Sequence, residues 1–137
     1  MLDAPLLVLV DLETTEAAPT GPSLELLTAA RDLTGGDVVA LALQPLGEAA
    51  SAALAGAGAT RLLSADLGEA AHLPATAADA VVAAVGAVQP AAVLVVSDYR
   101  GKELAGRAAV VLGSACVSDV TALEAAGTEL RASKLVL

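Results

Sequence analysis

The sequence predicts an α/β fold, a three-layer sandwich in which helices cover both faces of a mostly parallel β-sheet. Short apolar segments alternate with longer segments in which apolar residues recur at helical spacing. Apolar residues make up 56% of the 137-residue chain, which nevertheless has no Phe or Trp and a single Tyr. A core of Ala, Val and Leu lets helices pack closely on a sheet and so favours layered packing. The length is typical of a single domain, residues 1–137.

Four strand–helix pairs account for most of the chain. Each predicted strand is bounded by Pro, Gly or Asp and is followed by a predicted helix, which supplies the crossover that parallel strands require. Ser23 and Thr76 are the expected N-caps of the first and third helices. The predicted strands are 6–10, 38–43, 61–65 and 92–96, and the helices are 23–34, 48–57, 76–89 and 101–112.

The C-terminal part has a different pattern. Cys116–Glu124 and Glu129–Val136 both have strand character, and the AAGT segment between them predicts an antiparallel hairpin at the end of the sheet. Cys116 is expected to be a small buried core residue, not a nucleophile. Asp119 interrupts an apolar strand, so we expect it at an edge, at an interface or in a hydrogen-bonded turn.

Composition excludes several classes of protein. The net charge is -9, and the seven Lys and Arg residues form no basic stripe. Nucleic-acid binding is therefore not expected. No segment approaches the roughly 20 apolar residues of a membrane-spanning helix. The N-terminus has an acidic residue where a signal peptide carries positive charge. We expect a cytoplasmic protein without membrane insertion.

Two nucleotide-binding motifs fail at specific positions. A P-loop around Gly101 and Lys102 would need Gly at position 96 and Ser or Thr at 103, where the chain has Val and Glu. The first strand is followed by no glycine-rich turn, which excludes a dinucleotide fingerprint. The Gly113-Ser114 step keeps one alternative open, a stand-alone adenine-nucleotide-binding protein of the universal-stress type.

Polar residues outside these motifs form no catalytic constellation. His72 has no Cys or His partner for a metal site, so we expect it at the surface. Asp11 and Glu13 follow the first strand, where α/β proteins often bind ligands, although capping or solvation is the simpler interpretation. The mixed-charge cluster at 98–103 predicts a solvated helix start, with a subunit contact as the alternative.

The segment from Gly101 to Val120 resembles the N-terminal domain of the electron transfer flavoprotein α subunit. That family shows G-K-(D/E)-(L/I)-A-x-R-x-A-x-x-(L/I)-G, followed by a strand with (S/V)-D-V. The residues that fall on this pattern are Gly101, Lys102, Glu103, Leu104, Ala105, Arg107, Ala109, Leu112, Gly113, Ser118, Asp119 and Val120. LLVLVDLE, LELLTAARDL and AGAGATRLL also look like family segments, so the resemblance extends from Pro5 to Ala132.

Two departures accompany this resemblance. Asp11 stands where the family more often has Glu. After Arg131 the chain reads ASKLVL, where the family usually continues through an aromatic-glycine-glycine segment. The family's C-terminal domain, which carries most FAD contacts, is absent from these 137 residues. The resemblance therefore implies an N-terminal domain separated from its FAD domain.

The resemblance also implies a function. The intact protein would be a heterodimer with an electron transfer flavoprotein β subunit, carrying electrons from flavin dehydrogenases to a respiratory-chain acceptor. FAD belongs to that heterodimer and is not expected on this chain, and AMP belongs to the β subunit. The chain would be a scaffold, not an enzyme. Interface or structural roles are expected for Gly101, Lys102, Arg107, Ser118, Asp119 and Arg131. The isolated domain would expose apolar surface and self-associate.

Overall fold

The computed structural model describes residues 1–13 and 18–134. Strands and helices alternate, as the sequence predicts, through the first three-quarters of the chain. Positions 14–17 of the predicted loop and the last two residues of the predicted strand 129–136 lie outside the described residues. In chain order the elements are β1 Leu6–Leu9, α1 Gly21–Leu33, β2 Val38–Ala42, α2 Glu48–Ala57, β3 Arg61–Ser64, a 3-10 helix Gly68–His72, α3 Pro74–Val88, β4 Ala92–Leu94, α4 Tyr99–Leu112, β5 Val120–Ala126 and β6 Glu129–Lys134.

The first four strands form one parallel sheet in the order β3-β2-β1-β4. Its register pairs Leu6 with Val38 and with Ala92. Every residue of β1 and β2 is buried, because helices cover both faces of the sheet. This confirms the three-layer α/β prediction and explains why the central strands are continuous apolar runs without alternation.

Alternate residues of the strands serve two separate cores. Leu6 and Val8 of β1 pack with α1 and α2 on one face, whereas Leu7 and Leu9 pack with α3 and α4 on the other. The small residues on α3 and α4 allow these two helices to approach the sheet and each other closely. The most buried of them are Ala77, Ala78 and Ala108.

Strands β5 and β6 form a separate antiparallel sheet of two strands. The predicted hairpin is confirmed, but its predicted position at the end of the parallel sheet is wrong. Leu123, Ala125 and Leu130 instead pack it against the core on the α1 side. Its first strand starts later than predicted, since Asp119 adopts a left-handed backbone conformation with φ 56° immediately before Val120. The predicted burial of Cys116 is wrong, because the segment before Asp119 has no regular structure and leaves the thiol exposed.

Three helix starts differ from the predictions. Thr20, not Ser23, caps α1, and Ser23 is instead fully buried. Helix α3 begins at Pro74, ahead of the predicted cap, because proline fits the first turn of a helix, where no intrahelical N–H bond is required. Helix α4 begins at Tyr99, two residues before the predicted start, since Asp98 provides the cap.

Candidate functional site

Polar residues gather at the carboxyl ends of β1 and β4. The chain passes from β1 to β2 on one side and later returns from β3 to β4 on the other side of β1, and such a switch point is where open α/β sheets form a crevice. A cavity of about 60 Å³ lies beside it, and its polar lining comes from Asp11, Gln44, His72 and Arg100. That volume is far below the roughly 300–1,000 Å³ of typical ligand pockets, so the cavity is too small for a nucleotide. His72 is exposed there, as predicted.

The charges at this crevice are partly opposed. Burial raises the pKa of the Asp11 carboxyl, repulsion from Asp98 adds to that rise, and attraction to Arg100 counteracts it. The Arg100 guanidinium donates to the carbonyl oxygen of Ala71 at 2.9 Å. Its buried Nε has no hydrogen-bond partner among the described residues. Folding therefore disfavours the ionised form of Asp11, and the positive charge of Arg100 offsets this effect only in part.

Gly101 sits at a close contact between the start of α4 and the end of β4. Its N–H donates to the Asp98 carboxylate at 2.7 Å, which caps the helix. A Cβ at Gly101 would collide with the carbonyl oxygen of Val96. Glycine is required here by the close approach of two backbone segments, and not by a positive φ.

Lys102 and Asp119 form an ion pair that joins α4 to the start of the hairpin. Lys102 Nζ lies 2.8 Å from the Asp119 carboxylate. Ser97 Oγ donates to that carboxylate at 3.2 Å and accepts from the Asp119 N–H at 3.2 Å. We call Ser97, Lys102 and Asp119 the hairpin clasp. The hydrogen bond from Lys102 is the main reason that the pKa of Asp119 lies below its ordinary value, and Ser97 lowers it further.

The clasp unites two separated parts of the sequence motif, the Gly-Lys step and the Ser-Asp-Val step. Ser118 lies beside it, half-buried. Lys102, for which the sequence predicts an interface or structural role, is paired with Asp119. The sequence does not identify Ser97 as a site residue. Its hydroxyl directly follows a predicted apolar strand, and that position could have indicated a polar contact at the end of the sheet.

The other two predicted residues lie elsewhere. Arg107 pairs with Glu103 at 3.4 Å on the exposed face of α4. Arg131 lies 3.9 Å from Glu124 across the hairpin, and both side chains are largely exposed. Neither arginine contributes to the hairpin clasp.

Two apolar grooves flank β4. One, of about 480 Å³, lies between α3, α4 and the segment that follows α4. The other, of about 560 Å³, lies between α1, β4 and the start of the hairpin. Large apolar side chains are exposed at the end of α4 and just beyond it, with Val110 at 82%, Val111 at 66% and Val117 at 55%.

The family model described as electron transfer flavoprotein domain matches residues 8–136. The chain belongs to the electron transfer flavoprotein domain family. None of the curated proteins matches the sequence. The match includes most of the sheet, the clasp and the hairpin, so this family assignment covers most of both cores and the site described above.

Electron transfer flavoproteins imply FAD, and the two helix starts beside the crevice, those of α1 and α4, do not fit its diphosphate. A diphosphate needs free N–H groups at a helix start or a glycine-rich turn. Those of α1 and α4 are capped by Thr20 and Asp98. Asp11 adds negative charge beside α4. Gly113, the glycine considered for an adenine nucleotide, is the C-cap of α4, at the opposite end from the crevice.

Two further findings concern this domain. Across residues 1–13 and 18–134, no three His, Cys, Asp or Glu side chains converge on a possible metal position. Within the same ranges, no helix combines the length and the apolar character that crossing a membrane requires.

Proposed function

We propose that this chain is the scaffold and subunit-interaction domain of a heterodimeric, FAD-containing electron carrier. Its partner would be an electron transfer flavoprotein β subunit, and AMP, where present, would belong to that subunit. FAD would be held by other parts of the carrier. The carrier would take electrons from flavin dehydrogenases and pass them to a respiratory-chain acceptor in the cytoplasmic compartment.

The main support for this proposal comes from the contacts that the motif residues make. Gly101 makes a tight backbone contact, and Lys102 and Asp119 neutralise each other. Side chains that are paired with each other in this way are not available as general acids, general bases or nucleophiles. Such a motif supports a scaffold role, in which the chain positions a hairpin and does not itself carry out a reaction.

The exposed apolar end of α4 supports a role in subunit contact. Val110 and Val111 are among the most exposed large apolar side chains in the described part of the chain. Contiguous exposed apolar surface commonly marks a protein–protein contact. We propose that this surface packs against the partner subunit, and that without the partner it promotes self-association of the chain.

The proposal is tested by mixing the purified chain with the β subunit encoded in the same genome. We expect a 1:1 complex in sedimentation, and no flavin absorbance of the chain alone after incubation with FAD. Val111→Glu should weaken the complex, because burying a carboxylate without a partner is unfavourable. Ala52→Glu, at an exposed position of α2, is the matched control and should leave binding unchanged.

Two results would reject the proposal. One is stoichiometric FAD on the chain alone, which would make it a flavin-binding protein in its own right. The other is no association with the β subunit at micromolar concentrations while the chain is folded by circular dichroism.

A further inference from the structure

The polar cavity beside the crevice brings two opposite charges together without pairing them. Asp11 and Arg100 both line it, and Arg100 is close enough to counteract the rise in the pKa of the Asp11 carboxyl. In the described part of the chain, however, Arg100 forms no ion pair. A gap therefore separates the guanidinium from the carboxylate.

Only part of the Arg100 guanidinium is used by the protein. One terminal nitrogen donates to the carbonyl oxygen of Ala71 at 2.9 Å, which ties the start of α4 to the 3-10 helix. The Nε–H is shielded from solvent and has no acceptor among the described residues. Because a buried donor without an acceptor loses its hydration and gains nothing in return, nearly all such donors meet a protein group or an ordered water.

The charges around the cavity disfavour an ion of either sign. An anion that approached Arg100 would be repelled by Asp11 and by Asp98, whose carboxylate caps α4. A cation that approached the carboxylates would be repelled by Arg100. The other polar side chains of the lining, His72 and Gln44, do not alter this balance, since one is exposed and the other is an uncharged amide. A neutral molecule that both accepts and donates a hydrogen bond meets no such repulsion.

We propose that this cavity is a hydration site, in which an ordered water molecule joins the Arg100 Nε–H to the Asp11 carboxylate. The water accepts from the guanidinium and donates to the carboxylate. The cavity volume of about 60 Å³ is well above the roughly 10–15 Å³ that one water needs, and Gln44 offers a third polar partner. Such a bridge is nearly as favourable in enthalpy as a direct hydrogen bond. The hydration site stands apart from the proposed function.

The bridging water completes a junction between separate parts of the fold. The Asp11 N–H donates to Ser23 Oγ at 2.8 Å, which fixes the end of β1 to α1. Arg100 fixes α4 to the 3-10 helix through Ala71. The water joins these two attachments across the carboxyl edge of the sheet. It also gives the guanidinium at the cavity a neutral partner, so phosphate should not bind there.

Nuclear magnetic resonance of the full ¹⁵N-labelled chain tests whether a water is held at the Arg100 Nε–H. A held water gives cross-peaks at the water frequency that differ in sign between NOESY and ROESY spectra, whereas proton exchange with solvent gives the same sign in both. We expect opposite signs at Arg100. Arg107, exposed on the same helix and paired with Glu103, is the matched control and should show no held water. Equal signs or no cross-peak at Arg100 would overturn the proposal.

Substitution of the carboxylate tests whether the water bridges to Asp11. Asp11→Ala should reduce the water cross-peak at Arg100 by about threefold or more, because an ordered water needs two to four polar partners. Glu13→Ala, which removes an exposed carboxylate near the same strand end, is the control and should leave the cross-peak unchanged. An unchanged cross-peak in Asp11→Ala, with the fold intact by circular dichroism, would contradict the bridge.

Ion titrations of the natural chain distinguish water from a charged ligand. The Arg100 Nε–H resonance should show no saturable shift with sodium phosphate, sodium chloride or magnesium chloride, since each ion meets a like charge at the cavity. A saturable shift with phosphate or chloride would identify an anion site, and one with magnesium a cation site. Either result would overturn the proposal.

Discussion

The two sheets of this protein are stabilised in different ways. Strands β1 and β2 are buried along their whole length, and their side chains pack into two hydrophobic cores, one on each face of the sheet. Strands β5 and β6 are mostly exposed, and one face packs against the core on the α1 side. The central sheet is held by burial on both faces, whereas the hairpin relies on one half-buried face and on the hairpin clasp.

This difference implies that the central sheet determines the global stability of the chain, whereas the hairpin clasp determines the position of the hairpin. Apolar burial dominates the free energy of folding, so the central sheet should determine whether the chain folds. An exposed ion pair contributes little to global stability, but it can determine where a hairpin sits. Mutations in the two regions should therefore affect different measurements.

The largest effect is expected from the centre of the parallel sheet. Leu7→Ala should lower the free energy of unfolding by about 2–5 kcal/mol, as buried Leu→Ala changes do, because Leu7 is fully buried. Leu130→Ala, on the hairpin, removes the same atoms from a partly buried site and should cost clearly less. Urea denaturation measures both. Equal losses would show that the hairpin is as integral to stability as β1.

Gly101→Ala is expected to destabilise the junction of β4 and α4 by about 1–3 kcal/mol, the usual cost of overpacking. The new Cβ would collide with the Val96 carbonyl oxygen. Gly106→Ala is the control in the same helix, because a Cβ there meets nothing within 4 Å. It should stabilise by about 0.5–1 kcal/mol through helix propensity. Thermal unfolding of the two variants should shift in opposite directions.

Asp11→Asn should stabilise the protein at pH 7. The raised pKa of Asp11 means that folding disfavours its ionised form, so its contribution to stability falls as pH rises through the folded-state pKa. Below the ordinary aspartate value of 3.8 both variants are neutral at this position, and the difference should vanish. Midpoints of unfolding between pH 3 and 7 test this. A stabilisation independent of pH would refute the electrostatic explanation.

The smallest global effect is expected from the hairpin clasp. Lys102→Met removes the ion pair with Asp119 but should barely change the midpoint of unfolding. Amide exchange in Val120–Ala126 should become faster, because the hairpin loses its attachment to α4. Arg107→Met, which breaks the exposed pair with Glu103 on the same helix, is the control and should leave hairpin exchange unchanged.

The clasp should also respond to acid. The folded-state pKa of Asp119 is lowered, so its stabilising contribution is complete above the ordinary value of 3.8 and is lost as pH falls further. Hairpin exchange, corrected for its intrinsic pH dependence, should accelerate in that window in the natural chain. In Lys102→Met the acceleration should be much reduced, since the hydrogen bond that lowers this pKa is absent.

Some features of the site could be read from residue patterns and others could not. The continuous apolar runs at β1 and β2 predicted buried parallel strands, because only strands covered on both faces lack alternation. The role of Ser97 had no local signature. Its partner Asp119 is distant in sequence, and only the fold brings them together. Cys116 was misplaced because strand-like composition does not reveal a left-handed residue three positions later.

The alternation of strands and helices, the two-sided burial of the central sheet and the family can be recognised in the sequence, since they depend on local periodicity and on a contiguous motif. Three other features become visible when the chain is folded: the hairpin forms its own sheet, Gly101 is needed for a backbone contact, and Lys102 is neutralised by Asp119. These features depend on distances between segments remote in sequence, and such distances are set by the packing of the whole domain.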